Sequence, residues 1–280
     1  MSCQQRSLAL EPEIWGTATE CTTQWVLVEY SGQWHPKMRI AELSLPVGFA
    51  EALETVSKQE GWKVLWIRRP RSAGKHVYWW DLNTGVCKVA EIQSAWKNGF
   101  ETFEDWNFPQ DIGLTVPKVL VCTHGNRDRC CGVLGGMIFR QLNQLLGDVV
   151  WQVTHLGGHR FAPTALCLPL GLLLGRIDPD DGMDIVRAIM SNSIDPLRTE
   201  IIRGDVRFTK FEQARRLWLR SQKGVLDELS NDETVGLFSW TNEKGDPYTT
   251  IQKQIELGKM APSCGNPKEK MMHRWMFETQ

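Results

Sequence analysis

The chain has 280 residues, about two domains' worth at roughly 100–200 residues each. Its 42% hydrophobic and 23% charged residues are ordinary globular composition, which excludes disorder, a collagen-like repeat or a coiled coil as a description of the whole. Lysine and arginine total 32 against 33 acids, a net charge of −1, so the basic excess that nucleic-acid or membrane-surface binding draws on is missing.

Met1 to Leu10 lacks a signal peptide's apolar core. Trp25 to Tyr30 predicts a strand from its β-branched and aromatic content. Leu45-Pro46 opens a helix that runs to about Gln59, with Gly61 beyond its end. Lys63–Arg68 and His76–Asp81 are two further strands, and Asn83-Thr84-Gly85 is a turn. Glu101 to Asp111 is acidic and aromatic without periodicity, and the boundary between halves falls in Asn107–Thr115. Lys118–Val121 is a short buried strand followed by a polar loop, Cys122–Gly132. Leu134, Met137, Ile138, Leu142 and Leu145 recur at helical spacing within Val133–Leu146, which Gly147 closes.

Val149–Thr154 is another strand, His155–Pro163 a loop, and Thr164–Leu168 and Leu172–Ile177 two adjacent strands. The run Ala165–Leu174 is the longest apolar one, is interrupted by Pro169 and Gly171, and falls far short of the roughly 20 residues a membrane helix needs. Gly182–Ser191 and Val206–Gln222 are helices, the first with Asp180 or Asp181 as N-cap. Gly258–Gln280, rich in Lys and Met, reads as peripheral. The expected organisation is α/β throughout: an N-terminal lobe (1–112), a second domain (113–240) and a peripheral extension (241–280). The 13 tryptophans, against 3 tyrosines, need burial.

Eight cysteines in a chain expected to be cytoplasmic should stay reduced. Cys3, Cys21, Cys87 and Cys264 are isolated and read as small buried hydrophobes, and Cys167 as core. The chemistry concentrates in two loops, each at the carboxyl end of a buried strand, where sites in α/β sheets are usually built. One is Cys122-Thr-His-Gly-Asn-Arg-Asp-Arg-Cys-Cys-Gly132 and the other His155-Leu-Gly-Gly-His159. Two glycines between the histidines would cost a helix roughly 2 kcal/mol, so HxxxH here is a loop that curls to aim both imidazoles at one centre.

Two cysteines and two histidines make four metal ligands. Zinc takes such a set tetrahedrally, and a [2Fe–2S] cluster takes it as in Rieske centres. The eight residues between Cys122 and Cys131 exceed zinc-finger spacing and suit a wider centre, yet spacing alone leaves both metals open. His124 and Arg127–Asp128 read as loop-bracing residues, with Arg127 a possible donor toward the centre; Arg160 reads as a solvated charge or a docking residue. Arg198, Arg203, Arg207, Lys210, Arg215, Arg216 and Arg220 read as a solvated face in preference to a docking face for an acidic partner.

The two loop sequences, CTHGNRDRCCG and HLGGHRFA, resemble the paired signatures of the sucrase/ferredoxin-like family of thioredoxin-like ferredoxins. Trp25-Val-Leu-Val-Glu-Tyr-Ser-Gly-Gln-Trp34 and Ile67-Arg-Arg-Pro70 resemble further family segments, so the resemblance runs over about residues 20–240. It implies a thioredoxin-like ferredoxin domain beside the N-terminal α/β lobe, and a [2Fe–2S] cluster held by Cys122, Cys131, His155 and His159. Of the doublet Cys130-Cys131, the second precedes Gly132 as the motif requires. No carboxylate pair argues for glycoside hydrolysis.

Two thiolates and two neutral imidazoles cancel the charge of an oxidised diiron core, whereas four thiolates leave a dianion, so this ligand set raises the reduction potential. The second imidazole nitrogens make proton-coupled electron transfer the expectation. The resulting reading is a redox carrier more than a stand-alone enzyme, with donor and acceptor proteins as partners and neither nucleic acid nor membrane. A structural zinc module and a thiol enzyme with Cys122 as nucleophile are the alternatives. No glycine-rich nucleotide-binding signature is present.

Overall fold

In the computed structural model, which describes residues 3–70, 74–92, 116–228, 236–263 and 268–279, β1 (Gln24–Glu29) is buried on both faces. Trp25 and Leu27 enter one core with Ile67, Tyr78, Trp80, Leu120 and Trp151. Val26 and Val28 enter another with Phe49, Leu53 and Trp66. Such two-sided burial is why the strand reads as a near-continuous hydrophobic run. Three of the buried tryptophans bond their indole N–H groups to backbone: Trp25 to the Thr22 carbonyl, Trp80 to that of Pro117, Trp151 to that of Asp148.

β1 pairs in parallel with β2 (Trp62–Arg68) across the helix α2 (Val47–Ser57), and antiparallel with β3 (His76–Asp81). β4 (Val86–Glu91), which the sequence reading lacks, returns after the 83–85 turn to pair with β3. The pattern repeats in the second half. β5 (Val119–Cys122) and β6 (Val150–Val153) are parallel neighbours joined by α3 (Arg129–Leu146), and β7 (Ala165–Cys167), β8 (Leu172–Leu174) and β9 (Ile202–Asp205) follow antiparallel. β2 pairs antiparallel with β6 through Ile67–Val153 and Arg68–Gln152, so both halves contribute to one nine-stranded mixed sheet, ordered β4-β3-β1-β2-β6-β5-β7-β8-β9. Residues 93–115, including the expected boundary between halves, lie outside the described residues.

α3 and α4 (Gly182–Ser191) cover one face of the second half, over Val119, Val121, Ile138, Leu142, Leu174 and Ile185. The helix expected over Val206–Gln222 is shorter. Its first residues are preceded by β9, and Thr209 caps α5 (Lys210–Ser221) by accepting from the Glu212 N–H at 3.3 Å. The 241–280 segment, expected to be peripheral, supplies two long strands. β12 (Pro247–Met260) and β13 (Lys270–Thr279) pair in a second sheet with β10 (Val225–Glu228) and β11 (Leu237–Thr241). This sheet packs on α5 through Trp218, Phe238 and Phe277, and Gln252 donates to the Phe211 carbonyl at 2.8 Å. The helix α1 (Cys3–Leu10), which the sequence reading also lacks, buries Cys3 and Ser7. None of the five described α-helices is long and apolar enough to cross a membrane.

Thr209→Ala removes the side-chain cap of α5 and is expected to lower stability by about 1 kcal/mol. Urea unfolding with an unchanged slope and a lower midpoint is the result that checks it.

Candidate metal centre

β5 and β6 run in parallel with Cys122 opposite Val153, so the residues after both strands leave the sheet at the same edge. Asp128, just beyond β5, accepts from the Cys130 N–H at 2.9 Å and starts α3 at Arg129, four residues earlier than the Val133 start expected. Cys130 and Cys131 therefore sit in the first helical turn. Successive residues there point about 100° apart, and the two thiols diverge: Cys131 faces Cys122, while Cys130 faces Cys3.

Glycines allow the close approach. A Cβ on Gly135 would lie 2.0 Å from the Cys122 carbonyl oxygen, and one on Gly132 would lie 2.6 Å from the Gly125 Cα. Gly157 and Gly158 adopt φ of +84° and +66°, and a Cβ on Gly158 would fall 2.5 Å from an Arg203 Nη2. These left-handed residues bend the loop so that the His155 and His159 rings lie 4.9 Å apart.

The donor atoms of Cys122, Cys131 and His155 lie within 4.8 Å of one another. Nδ1 of His155 and of His159 is buried with no hydrogen-bond partner among the described residues. Each such orphan costs about 1–3 kcal/mol unless something else satisfies it. Hydrogen bonds from Cys131 and His155 hold the Cys122 thiol well below its usual range against the opposing effect of burial. The Cys131 thiol is pushed up by its bond to Cys122, by burial and by the neighbouring negative charges. Burial, then repulsion from His155, holds His159 down at about 4, so its imidazole is neutral at pH 7. The two neighbouring sulfurs oppose each other's ionisation, and a bound cation would let both become thiolates. Soft thiols and imidazoles with unsatisfied nitrogens fit zinc or an iron–sulfur cluster.

Other polar residues of the first loop strap it to the 34–36 segment. His124 Nε2 donates to the His35 carbonyl at 2.8 Å, Asn126 to that of Trp34 at 2.7 Å, and Arg127 to that of Pro36 at 2.9 Å. Burial lowers the His124 pKa. The expected Arg127–Asp128 brace is thus replaced by two separate ones, since Asp128 also accepts from Ser263 Oγ at 3.0 Å. Arg160 is no solvated charge: it grips the buried Glu11 with two bonds, at 2.8 and 3.1 Å. Ser7 and Arg176 complete that knot by bonding to the Glu11 carboxylate and carbonyl, which ties α1 to the HxxxH loop.

The basic run is not one solvated face. Arg203 and Arg215 are buried; Arg198, Arg207, Lys210, Arg216 and Arg220 pair with Asp181, Asp205, Glu20, Glu212 and Asp195. Arg203 donates to Thr17 Oγ1, to the Thr17 carbonyl and to the Gly157 carbonyl, which supports the histidine loop from beneath. Arg203 lies on β9, a strand that the sequence reading lacks. Cys3, isolated in sequence, has its sulfur 3.7 Å from that of Cys130, and with Asp128 they form a second donor group. Cys167 is core as expected, Cys21 is exposed, Cys87 is half-buried, and Cys264 lies outside the described residues.

Fold and donor set together define an α/β protein with a thiol–imidazole group at the carboxyl ends of adjacent parallel strands. The chain belongs to the sucrase/ferredoxin-like family, whose profile matches residues 14–207. It is 34% identical over 95 residues to "Altered inheritance of mitochondria protein 32" of Meyerozyma guilliermondii, a match covering 30% of this chain and 34% of that protein. The aligned part is thus about a third of that relative's length. No solved structure matches.

Gly135→Ala is expected to destabilise by more than about 1 kcal/mol, because its methyl group meets strand backbone, while Gly136→Ala, facing only the end of Arg140 at 3.7 Å, stabilises by about 0.5–1 kcal/mol. Thermal melts of the two single variants read the opposite signs.

Proposed function

We propose that this chain is an electron-transfer protein whose [2Fe–2S] cluster is held by Cys122, Cys131, His155 and His159. The observation that carries the reading is the convergence of two buried thiols and an imidazole within 4.8 Å, beside a second imidazole, with both histidines keeping an unsatisfied buried nitrogen. Membership of a family described as ferredoxin-like favours a redox cluster over zinc for that donor set. The paired parallel strands, each ending at ligands, are compatible with a thioredoxin-like domain.

Bound there, the cluster supplies a one-electron couple whose potential lies above that of a four-thiolate centre. The chain does the rest. Cys122 and Cys131 hold the two negative charges, the neutral imidazoles of His155 and His159 add none, and the protonation of their outer nitrogens couples electron uptake to pH. The half-buried imidazoles of His155 and His159 are the ligands nearest the surface, and electrons would pass to and from donor and acceptor proteins on that side. The chain is a carrier between such proteins, without a nucleic-acid or membrane partner. Cysteines held as thiols at the centre, Cys122 and Cys131, fit a reducing compartment, which we take to be the cytoplasm.

Protein purified without air exposure is expected to be coloured and to contain about two irons and two acid-labile sulfides per chain. Cys131→Ser should abolish that content and Cys130→Ser should retain it. Zinc without sulfide, or loss of iron in Cys130→Ser alone, would overturn the assignment. The midpoint potential should fall as pH rises across about pH 6–10, since reduction makes the outer imidazole nitrogens more basic; a flat line removes the proton coupling.

A further inference from the structure

A cavity of about 410 Å³ opens beside the histidine loop, between the 15–17 segment and the start of β13. Its lining carries four side-chain cations, Arg160, Arg203, Lys210 and Lys270, together with His159 and His273, and no carboxylate. Two of the cations are neutralised from outside the lining, Arg160 by Glu11 and Lys210 by Glu20. Arg203 and Lys270 have no carboxylate in ion-pair range among the described residues.

Arg203 makes this imbalance costly. It is 2% exposed, and the three oxygens that receive its hydrogen bonds, on Thr17 and Gly157, are all neutral. A buried guanidinium whose direct hydrogen-bond partners are all neutral is disfavoured, since no ion pair offsets its desolvation. Burial, then the nearby Arg160, pulls its pKa down to about 9 against the opposing pull of the Cys131 and Cys122 thiols and Glu11. Trp15, Met271 and Trp275 supply apolar wall. The volume lies in the range of small-molecule sites, about 300–1,000 Å³, which are mostly apolar with a few convergent polar groups.

We propose that this cavity is a binding site for a compact organic anion, with its acidic group directed to Arg203 and Lys270 and its apolar or aromatic body against Trp15, Met271 and Trp275. His159 forms part of the same wall, so the ligand lies against an imidazole of the thiol–imidazole group. The inference goes beyond the redox reading and does not require it, because the cavity is built by the chain alone.

Calorimetric titration of the full-length purified protein with 1-naphthoate tests it, with 2-naphthol as the uncharged analogue and inorganic phosphate as the bare anion. Naphthoate should bind one to one and more tightly than either. Lys270→Gln should weaken it about tenfold or more, the loss of roughly one charge-assisted contact, and Lys270→Glu should weaken it further. Lys270 is on the surface, so both variants are expected to fold; Lys253→Gln, on β12 and paired with Glu278, should bind like the parent. Absence of saturable binding overturns the proposal, as does equal affinity in parent, Lys270→Gln and Lys270→Glu. Phosphate binding as tightly as naphthoate overturns the organic-anion assignment. Loss of binding in Lys253→Gln to the same extent as in Lys270→Gln would place the ligand elsewhere.

Discussion

The constraint on which the rest of the site depends is the parallel pairing of β5 with β6. Parallel neighbours point the same way, and the Cys122–Val153 register sends the residues after both strands off one edge, about 4.8 Å apart at the backbone. A cysteine ending the first strand and a histidine two residues beyond the second are therefore neighbours before any loop geometry is considered. α3, which must cross over to join the two strands, begins at the same edge, and its first turn carries Cys131. Three chain segments separated in sequence meet because one crossover unit requires it.

Close contact is then a matter of missing side chains and of charge. Gly132 and Gly135 let the first turn of α3 lie against the loop and the end of β5, and Gly157 and Gly158 let the histidine loop turn back. The neighbouring Cys122 and Cys131 thiols oppose each other's ionisation, and His159 is kept neutral by burial. Such a group is poorly satisfied by the protein alone and well satisfied by a cation. The surrounding arginines bind elsewhere: Arg127 to the 34–36 segment, Arg160 to Glu11, Arg203 to the backbone beneath the loop. Glu11 thereby brings α1 over the site, and Ser263 brings the C-terminal strands to Asp128.

Much of this was legible where local signals sufficed. Strands β1, β2, β3, β5 and β6, helices α2 and α4, and the Gly147 terminus of α3 follow from runs of apolar residues, spacing and glycine. The early start of α3 and the late start of α5 were also encoded, in Asp128 and in Thr209 with Glu212, as N-cap signals that the longer helical pattern obscured. Beyond local reach were contacts set by tertiary structure. Nothing near Cys3 announces Cys130, 127 residues away, and nothing near Arg203 announces its burial behind the histidine loop. β12 and β13 were hidden by a polar, Lys-rich composition that suits a sheet with one exposed face.

The ligand set is tested most directly by hyperfine spectroscopy of the reduced protein labelled with ¹⁵N-histidine, compared with His155→Cys and His159→Cys. Two histidine nitrogen couplings are expected in the parent and one in each variant, with the paramagnetic signal retained. A reduced protein with no such signal, or with nitrogen couplings that neither substitution removes, would contradict coordination of a diiron cluster by these two imidazoles.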